Sequence, residues 1–140
     1  MNKTIKITEE RLDISTIRES FNNVNTGGIV IFEGLVRQFN KGLKVKKINY
    51  ESFEEMAKKE IDKIIDEEIN QIKNIKEIHD VCVHHRIGEL TIGETSIIVG
   101  ISAEHRIEAF KLCMQIMDKI KNRVPIWKYE TTENGAYWIQ

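Results

Sequence analysis

Two periods of apolar residues divide this chain. Over Lys3–Thr8 apolar and polar positions alternate through Ile5 and Ile7, the two-residue period of a half-buried strand. Asp13 then stands where it can cap a short helix carrying Ile14, Ile17 and Phe21 on one face. Gly27–Gly28 breaks the chain ahead of IVIFEGLV, Ile29–Val36, a β-rich run too dense in apolar residues for an edge strand. Gly34 inside it predicts a bulge or a close backbone approach. A polar loop follows over Arg37–Leu43, with Gly42 as its turn residue. Alternation resumes over Lys44–Phe53 through Val45, Ile48 and Tyr50, with a slip of register near Lys46–Lys47.

Helical spacing takes over in Glu54–Asn74, where Met56, Ala57, Ile61, Ile64, Ile65, Ile69 and Ile72 form an inward stripe. Ile78–Ile87 reads as a strand ending at Gly88, Thr91–Glu94 as a turn, and Thr95–Ser102 as another strongly apolar strand. Ser102 is placed to cap a helix over Ala103–Lys121, with Phe110, Met114, Met117 and Ile120 as its apolar face. Beyond Pro125, Ile126–Glu130 and Ala136–Ile139 are strands joined at an Asn134–Gly135 turn. The order, β-α-β-β-α-β-β-α-β-β, combines hairpins with longer crossovers. It predicts an α+β fold in a single domain over residues 1–140, with mixed and antiparallel sheets and about three helices.

Charge changes this picture only by exclusion. Lysine and arginine number 21 against 22 acidic residues, a balance that argues against a broad nucleic-acid surface but leaves room for a local basic pocket. Cys82 and Cys113 form no CxxC pair and read as reduced, partly buried thiols. The start, MNKTIKITEE, has no apolar signal core, and no run reaches membrane-spanning length. The expectation is a cytoplasmic protein with no membrane partner.

Helical phase singles out one lysine. Lys121 lies within roughly 20° of Phe110 and Met114 on the predicted apolar face, whereas Lys119 projects outward. Lys121 reads either as a snorkelling lysine favourable to the helix C-terminus or as a desolvated amine able to act as acid, base or nucleophile. His105–Arg106 stands in the first turn of the same helix, where free N–H groups and an arginine fork suit a phosphate. Two potential cations placed against the dipole hint at a ligand, although first-turn basic residues are common. Arg37 ends an apolar strand beside a glycine-containing loop; a solvated strand-end arginine is the plain alternative. Lys128 shares a strand face with Ile126 and Glu130, opposite Trp127 and Tyr129, and a surface pair with Glu130 is its plain alternative. Cys82, His84 and His85 invite a metal reading, but no second ligand pair follows at zinc-site spacing.

Taken with their wording, these segments resemble the catalytic (large) subunit of molybdopterin synthase. The resemblance is carried by FEGLVR (Phe32–Arg37), HHRIGEL with the following IGE (His84–Glu94) and SAEHRIEAF (Ser102–Phe110). IMDKIKNRVPIWKYE (Ile116–Glu130) and Tyr137–Trp138 complete it, and together they cover most of the chain in the family's order. It implies an α/β-hammerhead-like fold and a sulfurtransferase of molybdenum cofactor biosynthesis. Such an enzyme converts cyclic pyranopterin monophosphate (precursor Z) to molybdopterin. The sulfur comes from a thiocarboxylate on the C-terminal Gly-Gly of a small ubiquitin-like partner subunit. A homodimer core with a small subunit at each end, a heterotetramer, is implied too, with neither metal nor cofactor required.

Carried over by the same resemblance, Arg37, His105, Arg106, Lys121 and Lys128 fall on substrate-pocket positions, with Tyr129 and Glu130 adjoining the last. Lys121 and Lys128 are the catalytic pair, Lys121 taking the central role as an acid, a base or a covalent nucleophile. Two departures bear on substrate affinity: Leu35 stands where some members carry a basic residue, and longer relatives continue past Gln140 with further basic residues. The competing function is a non-catalytic scaffold that only docks the ubiquitin-like protein. Geometry adds an independent constraint. His105 and Lys121 are sixteen residues apart on one predicted helix, roughly 24 Å at 1.5 Å per residue. No pterin-sized molecule touches both, so a shared site requires two chains.

Overall fold

Residues 1–139 are described by a computed structural model; Gln140 lies outside the described residues. The elements are β1 (Asn2–Thr8), α1 (Ile14–Ser20), β2 (Gly28–Leu35), β3 (Phe39–Asn40), β4 (Leu43–Ser52) and α2 (Glu54–Ile69). They continue with β5 (Ile78–Arg86), β6 (Gly88–Thr91), β7 (Thr95–Ala103), α3 (Arg106–Arg123), β8 (Ile126–Thr132) and β9 (Gly135–Ile139). One sheet has the order β1-β5-β7-β2, with β1 parallel to β5 and the other pairs antiparallel. The second runs β3-β4-β8-β9, with β6 also paired to β4.

The first sheet is covered on both faces, so its central strands carry continuous apolar runs. Val81, Val83, Val99 and Ile101 point into the main core with α2 and α3. Cys82 and Ile98 point the other way, onto Ile17 and Phe21 of α1. Asp13 caps α1 as expected, its Oδ1 accepting from the backbone N–H of Ser15 at 2.9 Å. Gly34 carries the expected bulge, and the close approach to it is by side chains. Register shifts there, and a Cβ would lie 2.8 Å from Ile97 Cγ2. The slip near Lys46–Lys47 is also present, between Val45 and Lys47.

Four expectations need correction. β2 is the edge of its sheet, not an interior strand, and leaves Phe32 and Leu35 exposed. β7 extends through Ala103, which pairs with both Gly28 and Ile78, so α3 starts later and His105, not Ser102, is its N-cap. Ser102 is fully buried and donates its hydroxyl to the Asp80 carboxylate. In α3 the buried stripe is Ala109, Leu112, Cys113, Ile116 and Ile120, about 100° round the helix from Phe110 and Met114. Those two are exposed, as is Met56 of α2. The segment Phe39–Asn40, expected as loop, pairs with Leu43–Lys44 in a tight hairpin. Among the smaller shifts, α2 ends at Ile69, four turns from its start, and the β8–β9 turn falls on Glu133–Asn134.

Candidate active site

Strand pairing builds the site. β8 lies against β4 with Tyr50 opposite Lys128 and Ile48 opposite Glu130. Because side chains alternate along a strand, Lys128 and Glu130 turn inward while Trp127 and Tyr129 turn outward. Pro125, with its backbone carbonyl accepting the Ser52 hydroxyl at 3.1 Å, turns the chain from α3 into β8. Lys121 in the last turn of α3 and Lys128 on β8 thereby line one cleft.

The cleft has two parts that meet at Tyr50, Lys121, Lys128 and Ile139. One, of about 340 Å³, is walled largely by apolar groups, including Ile97, Met117, Ile120 and Ile126, with His85 and Ser96 at its back. The other, of about 220 Å³, is lined by Arg37, Asn40, Lys41 and Glu130. Neighbouring cations are held elsewhere: Lys119 by Glu67 and Glu68, and Arg123 by Glu60 and Glu67. Among the described residues Arg37, Lys121 and Lys128 have no such ion pair, leaving their charge available to a ligand.

Lys128 is the desolvated lysine. Burial is the main cause that lowers its pKa, the charges of Lys121 and Arg37 add to it, and Glu130 opposes them. Its Nζ lies 5.9 Å from the centre of the Tyr50 ring, within cation–π range. Lys121, which helical phase marks as either snorkelling or desolvated, is exposed, as are Phe110 and Met114 on the same stripe. Glu130 is buried and accepts from Asn40 Nδ2 at 3.2 and 3.4 Å, which satisfies a carboxylate that would otherwise be costly inside. Tyr129 lies on the outer face, its ring 4.9 Å from Trp138. His105 and Arg106 are exposed at the far end of α3 and do not line this cleft. Instead, His105 Nδ1 sits 3.4 Å from a Glu77 carboxylate oxygen.

Several cleft residues carry no signal in the sequence: Tyr50, Ser96, Asn40 and Lys41 become site residues only through pairing between distant strands. His85, visible earlier only as one of three residues in a metal reading, backs the cleft. Its Nδ1–H donates to the Arg86 carbonyl at 2.7 Å, and its ring meets Tyr50 edge-on at 5.1 Å. Burial, opposed by that hydrogen bond and reinforced by Lys128, pushes its pKa down to about 4. Cys82, its neighbour in the metal reading, is instead packed in the apolar cluster with its thiol pushed up to about 12 by burial. A larger depression of about 610 Å³, lined by Arg11, Arg86 and Glu94, offers less chemistry. Its Arg86 is held by Glu94 at 2.5 Å and by the Glu9 carbonyl at 3.2 Å.

The His85 environment makes a stability prediction. With a folded pKa near 4 against an ordinary 6.5, the unfolded chain binds the proton first, so stability falls as pH drops through that interval. His85 alone contributes a loss of about 2 kcal/mol between pH 7.5 and 5, and His84, also lowered by burial, adds to it. Urea unfolding at the two pH values measures it, and His85→Phe, which keeps a ring, is expected to remove more than half of the difference. An unchanged difference in the variant would rule the assignment out.

Comparison with known proteins places the fold in a family. Residues 7–123 match the family described as MoaE protein. The chain is 49% identical to a molybdopterin synthase catalytic subunit of Pyrococcus abyssi, over 83% of this chain and 76% of that protein. Its structure superposes with TM-score 0.87 on molybdopterin synthase from Staphylococcus aureus, at 32% identity and 96% coverage of both chains. The same fold recurs at 20% identity and TM-score 0.77, over 97% of this chain and 90% of the other, in a complex of subunits 1 and 2 of molybdopterin-converting factor from Helicobacter pylori. The chain belongs to the MoaE family, the catalytic subunits of molybdopterin synthase.

Proposed function

We propose that this chain acts in the cytoplasm on cyclic pyranopterin monophosphate, converting it to molybdopterin with sulfur from the C-terminal thiocarboxylate of a small ubiquitin-like subunit. The observation that carries this reading is the meeting of Lys121 and Lys128 where a cation-lined compartment joins an apolar one. The polar side, with Arg37, suits the substrate's phosphate. The apolar side suits an extended, uncharged peptide tail that must bring its terminal sulfur to the same point. In each transfer a substrate carbon–oxygen bond breaks and its oxygen departs as the carbon–sulfur bond forms; water then cleaves the resulting thioester, so the tail leaves as a carboxylate and the sulfur stays on the substrate. Oxyanions form along that route, and lysine amines placed beside them stabilise or protonate them. Glu130 fixes the inner wall through Asn40, and Tyr129 acts only at the outer rim.

His105 and Arg106 enter the same reading through a second copy of the chain. Supporting this are the unburied apolar stripe of α3, with Ile107, Phe110 and Met114 each more than 60% exposed, and the open apolar edge of β2. Two copies packed through these surfaces, with α3 antiparallel across a two-fold axis, bring His105–Arg106 of one toward Lys121 of the other. The small subunits then bind at the two outer ends.

The direct test is reconstitution. Purified chain, thiocarboxylated small subunit and cyclic pyranopterin monophosphate are expected to yield the dithiolene product, detected after oxidation as its fluorescent derivative. Binding of the small subunit without product would favour a docking scaffold instead.

A further inference from the structure

The hairpin between β3 and β4 puts a lysine in a backbone conformation that lysine disfavours. Lys41 and Gly42 are the two central turn residues, with φ of 51° and 80°. Positive φ at both positions is the pattern of a type I′ turn, where asparagine, aspartate or glycine is the usual first residue. Lys41 is the one described non-glycine residue with positive φ. Its side chain lacks the short polar group that makes asparagine tolerant of this region. Strain of this kind in a residue lining a cleft calls for a functional account.

The hairpin is also tied down. Asn40, next to Lys41, donates from Nδ2 to both oxygens of the buried Glu130 on β8, and Val45 N–H donates to the Gln38 carbonyl at 2.6 Å. Lys41 is therefore carried on a base fixed to the cleft's inner wall, and it lines the polar compartment together with Arg37, Lys121 and Lys128. Four cations face a single carboxylate there, and that carboxylate already accepts from Asn40. Such a compartment calls for an anion.

We infer that Lys41 is a substrate-binding residue that holds the phosphate of the pterin substrate at the mouth of the polar compartment. This rests on the reading of the cleft as the conversion site. The substrate phosphate is favoured over the partner's tail because the Gly-Gly end of that tail carries no side-chain charge and matches the apolar compartment, where Lys41 takes no part.

The test exploits two opposite effects. Lys41→Asn is expected to relax the turn and raise the melting temperature by about 2 °C, while raising KM for cyclic pyranopterin monophosphate about fivefold with kcat within twofold. Lys41→Gln is expected to raise KM equally without the stabilisation, and Lys41→Arg to keep KM within twofold of the wild type. Both neutral variants should also flatten the rise of KM with salt. Unchanged KM in Lys41→Asn and Lys41→Gln would overturn the inference and leave a turn residue only. So would a weakened affinity for the small subunit with KM for the pterin intact. Either result leaves the conversion itself standing in the wild type; an inactive wild type would instead remove the function on which the inference rests.

Discussion

Lys121→Ala is expected to reduce conversion of cyclic pyranopterin monophosphate by about 10²- to 10³-fold while the melting temperature stays unchanged. The two halves of this expectation have separate causes. Lys121 is exposed, and among the described residues no carboxylate pairs with it, so its removal leaves no buried group unsatisfied. Yet it stands where the two compartments of the cleft join, and removal of one well-placed group stabilising an oxyanion costs about that factor. Lys128→Met should lower the rate comparably with stability equal or higher, since a desolvated charge is replaced by an apolar side chain of similar length. The pair is electrostatically linked, because Lys121 helps lower the pKa of Lys128. If the neutral amine of Lys128 takes part, the rate rises with pH to a plateau reached below the ordinary lysine value of 10.5. Residual activity in Lys121→Ala should then show that rise displaced to higher pH. Single-turnover rates across pH in the two variants measure both effects. Full activity in Lys121→Ala would remove Lys121 from the mechanism.

Local features of the chain were legible, and the failures share a cause. The Asp13 cap, the Gly34 irregularity, the slip beside Lys46 and the shared strand face of Lys128 and Glu130 all follow from interactions within a few residues or from strict alternation; that this face turns inward does not. Ser102 was misread because a local capping rule takes no account of the sheet, which extends β7 past it and gives its hydroxyl to Asp80. The face of α3 was half misread, Met117 and Ile120 meeting the core while Phe110 and Met114 do not, because two apolar stripes share that helix. Spacing alone cannot say which one meets the sheet, and the wider Phe110–Met114 side chains outweigh the small Ala109 and Cys113 that pack there. The same error gave Lys121 its desolvated alternative, whereas the desolvated lysine is Lys128. In the cleft, Lys121 and Lys128 were recognisable from family wording, while Tyr50, Asn40 and Lys41 depend on which strand lies beside β8. A sequence without partners to compare does not encode that pairing in any local period.

The surplus apolar stripe leads to the second large effect. Phe110→Asp with Met114→Asp is expected to yield a folded, monomeric chain that binds the small subunit but has lost nearly all conversion. Both residues are more than 60% exposed, so the charges enter no existing core. At a dimer interface they would be buried and like-charged across the two-fold axis, which is strongly unfavourable. Sedimentation and far-UV circular dichroism separate dissociation from unfolding. Activity is lost because each site lacks the other copy's His105 and Arg106, some 24 Å along the helix from Lys121. Mixing inactive His105→Ala and Lys121→Ala chains examines this directly. In a mixed dimer one site collects both defects and the other has neither. Random exchange of equal amounts makes half the dimers mixed, restoring about a quarter of wild-type activity. No recovery after subunit exchange has been verified would mean that each cleft works with the residues of one chain, and that the stripe on α3 binds something other than a second copy.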